Sequence, residues 1–176
     1  QKTAYEIGVR LVGSEMCIRD STYSLSGTDA SSFEVVSGQL KLKDSVSANY
    51  ESKSSYAVTV KATDSGGLTT SQAFTVTVND VNDAPTAIAL SATAINENAA
   101  GAVVGTLSTT DVDAGDSHTY SLSGTDASSF EVVGGQLKLK DSVSANYESK
   151  SSYAVTVTAT DSGGLTTSQA FTVTVN

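Results

Sequence analysis

Residues 22–79 and residues 119–176 are the same text at a constant offset of 97, apart from Ser37 against Gly134 and Lys61 against Thr158. Whatever one copy forms, the other must form from the same side chains. The 97-residue period exceeds the roughly 20–50 residues of a solenoid repeat and suits one complete small domain. The 176-residue chain therefore reads as two domains in tandem. The second, residues 86–176, is expected to be whole. The first, residues 22–79, lacks the stretch equivalent to residues 84–118, and residues 80–85 form the linker.

Within a copy the apolar period is two. "SYAVTVTATD" places Tyr153, Val155, Val157 and Ala159 on one face and Ala154, Thr156, Thr158 and Thr160 on the other, as a half-buried antiparallel strand requires. "AFTVTV" does the same with Phe171, Val173 and Val175. "FEVVGGQLKLK" holds two short alternating runs around Gly134-Gly135, which predicts a hairpin because glycine accepts the positive φ of a tight turn. No segment carries a helical stripe. Six or seven short strands in about 95 residues, with turn signals every ten or so, predict an all-β fold: two tandem Greek-key sandwiches of immunoglobulin-like architecture, the first truncated at its N-terminal side. The cysteine and tryptophan signature of antibody domains is absent, since the chain has one Cys and no Trp.

Composition changes abruptly near the start. The only Cys (Cys17), the only Met (Met16) and both Arg residues (Arg10, Arg19) fall within residues 1–21, and the rest is written in Ser, Thr, Ala, Val, Gly and Asp. "QKTAYEIGVRLVGSEMCIRDS" resembles a translated sequencing adapter, and residues 1–21 are expected to be non-native. The remaining chain then has no cysteine, which excludes a disulfide scaffold and a thiolate metal site. Ten basic residues against 19 acidic ones give a net charge of −9, a sign that repels nucleic acid and anionic lipid and favours cations. No run of apolar residues is long enough to insert in a membrane, and no leader segment is recognisable.

The acidic residues form an ordered series: Glu97 in "INENAAG", Glu51 and Glu148 in "NYES", Asp111 and Asp113 in "DVD", Asp64 and Asp161 in "ATDSGG", and Asp80, Asn82 and Asp83 in "DVNDAP". In this order and spacing the chain from residue 22 onward resembles the cadherin-like repeats of large bacterial surface proteins. The resemblance implies calcium as cofactor. It places Glu51 of the first repeat, Asp80, Asn82 and Asp83 of the linker, and Asp111, Asp113 and Asp161 of the second repeat around shared Ca2+ ions. Asp64, Glu97 and Glu148 belong to sites that this chain holds incompletely. Calcium accepts six to eight oxygen ligands in flexible geometry, which suits carboxylates gathered from both sides of a linker. Two departures each remove or neutralise a possible ligand: Ala84 stands where the family usually has a second asparagine, and Asn49 and Asn146 stand where it has aspartate.

Two other readings of these residues are available. Asp and Asn beside Gly and Pro are common turn residues whose side chains bond the local backbone. "DVDAGD" hints at an EF-hand loop, but the sixth position is Asp116 where that loop needs glycine, and the twelfth is Leu122 where it needs glutamate.

Catalysis has little support. The single histidine, His118, has only Asp116 and Ser117 close in sequence, and that spacing gives no relay on a strand. His118 is expected to be structural or exposed. No phosphate-binding loop and no zinc spacing occur. The resemblance instead implies a calcium-stiffened extracellular repeat of a bacterial surface adhesin, a spacer or adhesion element. Its partners are then neighbouring repeats of the same chain and, beyond them, other surface proteins or glycans. The alternative is a peptide- or carbohydrate-binding sandwich, against which stand the low aromatic content of 6 % and the missing tryptophan.

Overall fold

The computed structural model describes residues 9, 10 and 21–176. The reading of residues 1–21 as non-native thus lies, except at residues 9, 10 and 21, outside the described residues. The chain divides into two compact units, 1–81 and 82–176.

The second unit is a two-sheet sandwich. One sheet runs β10 (Thr119–Ser123), β13 (Ser152–Thr160), β14 (Thr166–Val175), β8 (Ala94–Ile95), and the other runs β11 (Phe130–Val133), β12 (Gln136–Leu139), β9 (Val103–Thr110), β7 (Ala87–Leu90). Val, Thr, Tyr and Phe dominate these segments because their side chains pack well on a pleated, half-buried surface. The period-two reading holds in β13: Tyr153, Val155, Val157 and Ala159 are all buried, while the alternate Ala154, Thr156, Thr158 and Thr160 are exposed or half-buried. In β14, Val173 and Val175 are buried and Phe171 packs against the core from a half-buried position. The predicted hairpin is present, with β11 and β12 antiparallel from Val133↔Gln136 and with Gly134 and Gly135 at φ +56° and +76°.

The unit has eight strands where six or seven were expected, because the first edge strand is split between the sheets. β7 pairs antiparallel with β9, then the chain crosses over and β8 pairs parallel with β14. The crossing passes over Gly105, where a Cβ would lie 2.8 Å from Ala92 N and from Ser91 Oγ. Only glycine admits that approach.

The first unit repeats part of this plan. β2 (Thr22–Ser26), β5 (Ser55–Thr63) and β6 (Thr69–Thr77) form one sheet, and β3 (Phe33–Val36) and β4 (Gln39–Leu42) form the other with a two-residue strand β1, Val9–Arg10. Its core holds Phe33, Leu40, Tyr56, Val58, Val60 and Val76. Among the described residues it has no counterpart of β7 or β8, and several repeated positions are less covered. Leu42, Ala48, Ala62 and Val78 are half-buried, where Leu139, Ala145, Ala159 and Val175 are buried.

Both units share one polar fastening. Asp29 accepts Ala57 N (2.7 Å) and a short contact from Lys53 Nζ, and Asp126 accepts Ala154 N (2.8 Å) and the same contact from Lys150 Nζ. Each lysine also lies 5.0 Å from the ring centre of a core tyrosine, Tyr56 or Tyr153. The pairing ties the loop after β2 or β10 to the start of β5 or β13.

Candidate metal centre

Three loop segments meet at one end of the second sandwich: residues 82–83 ahead of β7, residues 111–118 between β9 and β10, and residues 161–165 between β13 and β14. The last is a tight turn. Asp161 N donates to Leu165 O (3.0 Å), Leu165 N donates to Asp161 Oδ1 (2.7 Å), and Gly164 sits at φ +88°. The turn reading of Asp161 is thus correct for Oδ1. Its second oxygen is free of the turn and accepts Asn82 Nδ2 at 2.9 Å. Gly163 permits this, since a Cβ there would fall 2.5 Å from Asn82 Cγ.

The "DVD" segment binds its neighbours in a chain of contacts. Asp113 N donates to Asp111 Oδ1 (3.2 Å), and Asp113 Oδ2 accepts Asp83 N (2.8 Å). Asp111 Oδ2 lies 2.9 Å from His118 Nε2, with both side chains nearly covered. His118 is therefore structural and not exposed, and its partner lies seven positions away, beyond the adjacent residues weighed from the text. Asp116 Oδ2 accepts Ser162 N at 3.4 Å.

Carboxylate oxygens of Asp111, Asp116 and Asp161 lie within 4.8 Å of one another, and Asp161 is buried. The His118 hydrogen bond, helped by Asp113 N, holds the Asp111 carboxyl below the usual carboxylate range. The Ser162 side chain does the same for Asp116. Both are anions at neutral pH. An all-oxygen donor set of clustered anions, with an asparagine amide at its edge, fits a hard divalent cation such as Ca2+.

Of the residues singled out from the text, the second unit brings together Asn82, Asp83, Asp111, Asp113 and Asp161. Asp116 joins them unforeseen. In the sequence it stands as the residue that spoils an EF-hand loop and as a neighbour of His118, and the turn at Gly115 (φ +85°) swings it back beside Asp111 and Asp161. In the first unit, oxygens of Glu51 and Asp80 lie within 4.8 Å of each other, and both residues are exposed. Asp64 is exposed, with its Oδ1 occupied by Gly66 N and Leu68 N. At the far end of the second unit, Glu97 accepts Tyr147 N (3.1 Å) and Glu148 is exposed.

Residues 91–176 match the family model described as "Cadherin domain". Among solved structures, human protocadherin-24 EC1-2 is similar, with 27 % identity, 89 % of this chain and 82 % of that chain covered, and a TM-score of 0.71. PcdhgB3 EC1-4 gives 26 % identity and a TM-score of 0.71 over 89 % of this chain and 40 % of that one, so this chain spans about two fifths of its length. The cis-dimer structure of protocadherin gammaB7 EC3-6 gives 26 % identity and a TM-score of 0.70, covering 96 % of this chain and 41 % of that chain. The family is one of extracellular, adhesion-type repeat modules. The chain carries a cadherin-family domain over residues 91–176, and residues 22–79 repeat the text of residues 119–176 within it.

Proposed function

We propose that this chain is a calcium-stiffened extracellular segment of a bacterial surface adhesin, acting as a spacer between its neighbours in a longer array. The observation that supports this most is the carboxylate cluster of Asp111, Asp116 and Asp161, to which Asn82 is drawn by a hydrogen bond to Asp161 while Asp83 is held next to it by a hydrogen bond to Asp113. Bound Ca2+ supplies positive charge that joins ligands from different segments. Asp111, Asp113, Asp116 and Asp161 would hold it from the second repeat. Asn82 would contribute its amide oxygen after the amide turns over, Asp80 and Asp83 would contribute with it from the linker, and Glu51 would contribute from the first repeat.

The chain's own residues set the terms. The linker from Asp80 to Pro85 is short and polar, so without metal its orientation is governed by few residues and by like-charge repulsion. Ligands drawn from both sides bind the ion only in an aligned state, and an ensemble shifts by the differential affinity of its states: about 5.5 kcal/mol turns 1:99 into 99:1. Repeats that differ at so few positions suit a role in which length and rigidity matter more than a unique binding face.

Calcium titration by calorimetry, paired with small-angle scattering in chelator and in millimolar calcium, tests the reading. Binding at roughly 10⁻⁴–10⁻³ M, as in extracellular calcium modules, with a narrower distribution of shapes in calcium, is expected. Asp113→Ala should weaken binding and leave the second unit folded. Identical scattering in chelator, in calcium and in the variant would sink the proposal.

A further inference from the structure

The two lateral edges of the second sandwich are finished differently. On one side the split strand closes it, since β7 packs against β14 and β8 pairs with β14. On the other side each sheet ends, one in β10 and the other in β11. A terminal strand presents a row of unpaired N–H and C=O groups, and folded proteins blunt it with charge, proline, a bulge or extreme shortness. β8 has two residues, and β11 carries Glu131, which pairs with Lys138 at 3.3 Å. β10, Thr119-Tyr120-Ser121-Leu122-Ser123, has five residues, no charge, no proline and an unbroken register against β13. No described segment pairs with its outer side. Thr119, Ser121 and Ser123 are exposed, and Tyr120 and Leu122 pack against the core from half-buried positions, so the core is incompletely covered at this edge.

The text of β10 also pairs with itself. Run antiparallel about Ser121, it sets Thr119 against Ser123, Tyr120 against Leu122 and Ser121 against Ser121. Hydroxyl meets hydroxyl and apolar meets apolar. Each pairing joins residues of the same pleat phase, so whichever of them turn their backbone groups outward find each other. The acidic residues nearest in the chain stand beyond the strand, Asp116 before it and Asp126 after it, so no like charges are set opposite one another in the ladder. We propose that β10 is a self-association edge, which pairs antiparallel with the β10 of a second copy of this chain about a twofold axis through Ser121 and joins their two four-stranded sheets into one. A twofold contact needs a self-complementary patch, and this strand supplies one. The Tyr120–Leu122 pair occurs twice across the new ladder and covers the side chains left half-buried at the edge. A five-residue ladder buries far less than the roughly 1,000 Å² of a stable interface, so the contact is weak and reversible. β2 carries the same five residues, but only the second unit is described throughout, and its edge is the one assigned here.

Cysteine trapping in the intact chain tests the register, with Cys17→Ser in every variant so that only the introduced thiol reacts. About the proposed axis Ser121 lies opposite its own copy, where facing Cβ atoms stand about 4.5–5.5 Å apart, close to the geometry of a disulfide. Ser123 lies four residues from its own copy, about 13 Å along the strand. Thr172, exposed on β14 and two strands in from the edge, reports chance collision. All these positions are exposed, as is Thr119, so the substitutions leave the core intact. Under mild oxidation Ser121→Cys is expected to form the disulfide-linked dimer at least about ten times faster than Ser123→Cys or Thr172→Cys, as those separations require. Thr119→Cys chains mixed with Ser123→Cys chains should form the mixed dimer faster than either forms its own. No dimer from Ser121→Cys, equal rates at residues 121, 123 and 172, or no excess of the mixed dimer would each overturn the proposal.

Discussion

Asp64 and Asp161 occupy the same place in identical local text, "ATDSGGLTTSQ", yet Asp64 is exposed and Asp161 is buried. Each carboxylate fastens its own turn through Oδ1, and that much is local chemistry. The second oxygen of Asp161 meets Asn82, which comes from 79 positions away. A second pair shows the reverse case, where the residue differs and the backbone does not. Ser37 stands at φ +51° where Gly134 stands at +56°, both in the first turn position of the same hairpin. A side chain in the left-handed region costs roughly 1–2 kcal/mol. Ser37→Gly is therefore expected to stabilise the first unit by about 1 kcal/mol, read as a higher midpoint in chemical denaturation, and Gly134→Ser to destabilise the second unit comparably.

At the scale of elements, the Asp–Lys fastening is present twice with the same geometry. The lysine side chain and the backbone N–H of Ala57 or Ala154 hold Asp29 and Asp126 below the usual carboxylate range. A carboxyl whose folded pKa is depressed stabilises the fold fully above its unfolded pKa, near 3.9, and loses that contribution as pH falls through the lower folded value. Both units should thus lose stability on acidification below about pH 4. Asp29→Asn with Asp126→Asn should lower the melting temperature at neutral pH and flatten its fall between about pH 4 and pH 2. An unchanged acid slope in the double variant would show that other carboxyls govern that limb.

For the whole molecule, two units with separate cores and unequal burial imply two unfolding transitions, the first unit melting earlier because its repeated core positions are less covered. Leu137→Ala, at a fully buried position, should shift only the later transition, by roughly 2–5 kcal/mol. A single transition in urea, followed by probes in each unit, would contradict this.

Much of the architecture was legible in the text, because the signals that specify it are short-range. A period of two sorts Tyr153, Val155, Val157 and Ala159 inward, and paired glycines at 134–135 close a hairpin, each through preferences set within a few residues. The split of the first edge strand was not legible, since it depends on Gly105 lying beneath Ser91 and Ala92. Nor was the pairing of His118 with Asp111, or the arrival of Asp116 beside Asp161, since both require the loop around Gly115 to fold back. The sequence by itself determined which residues face the core, where the chain turns and which acidic side chains were available. Only the tertiary structure decided which of those carboxylates are buried together. Alternation and turn chemistry are properties of neighbouring residues, whereas burial and charge clustering are made by segments that meet only after the sheets have closed.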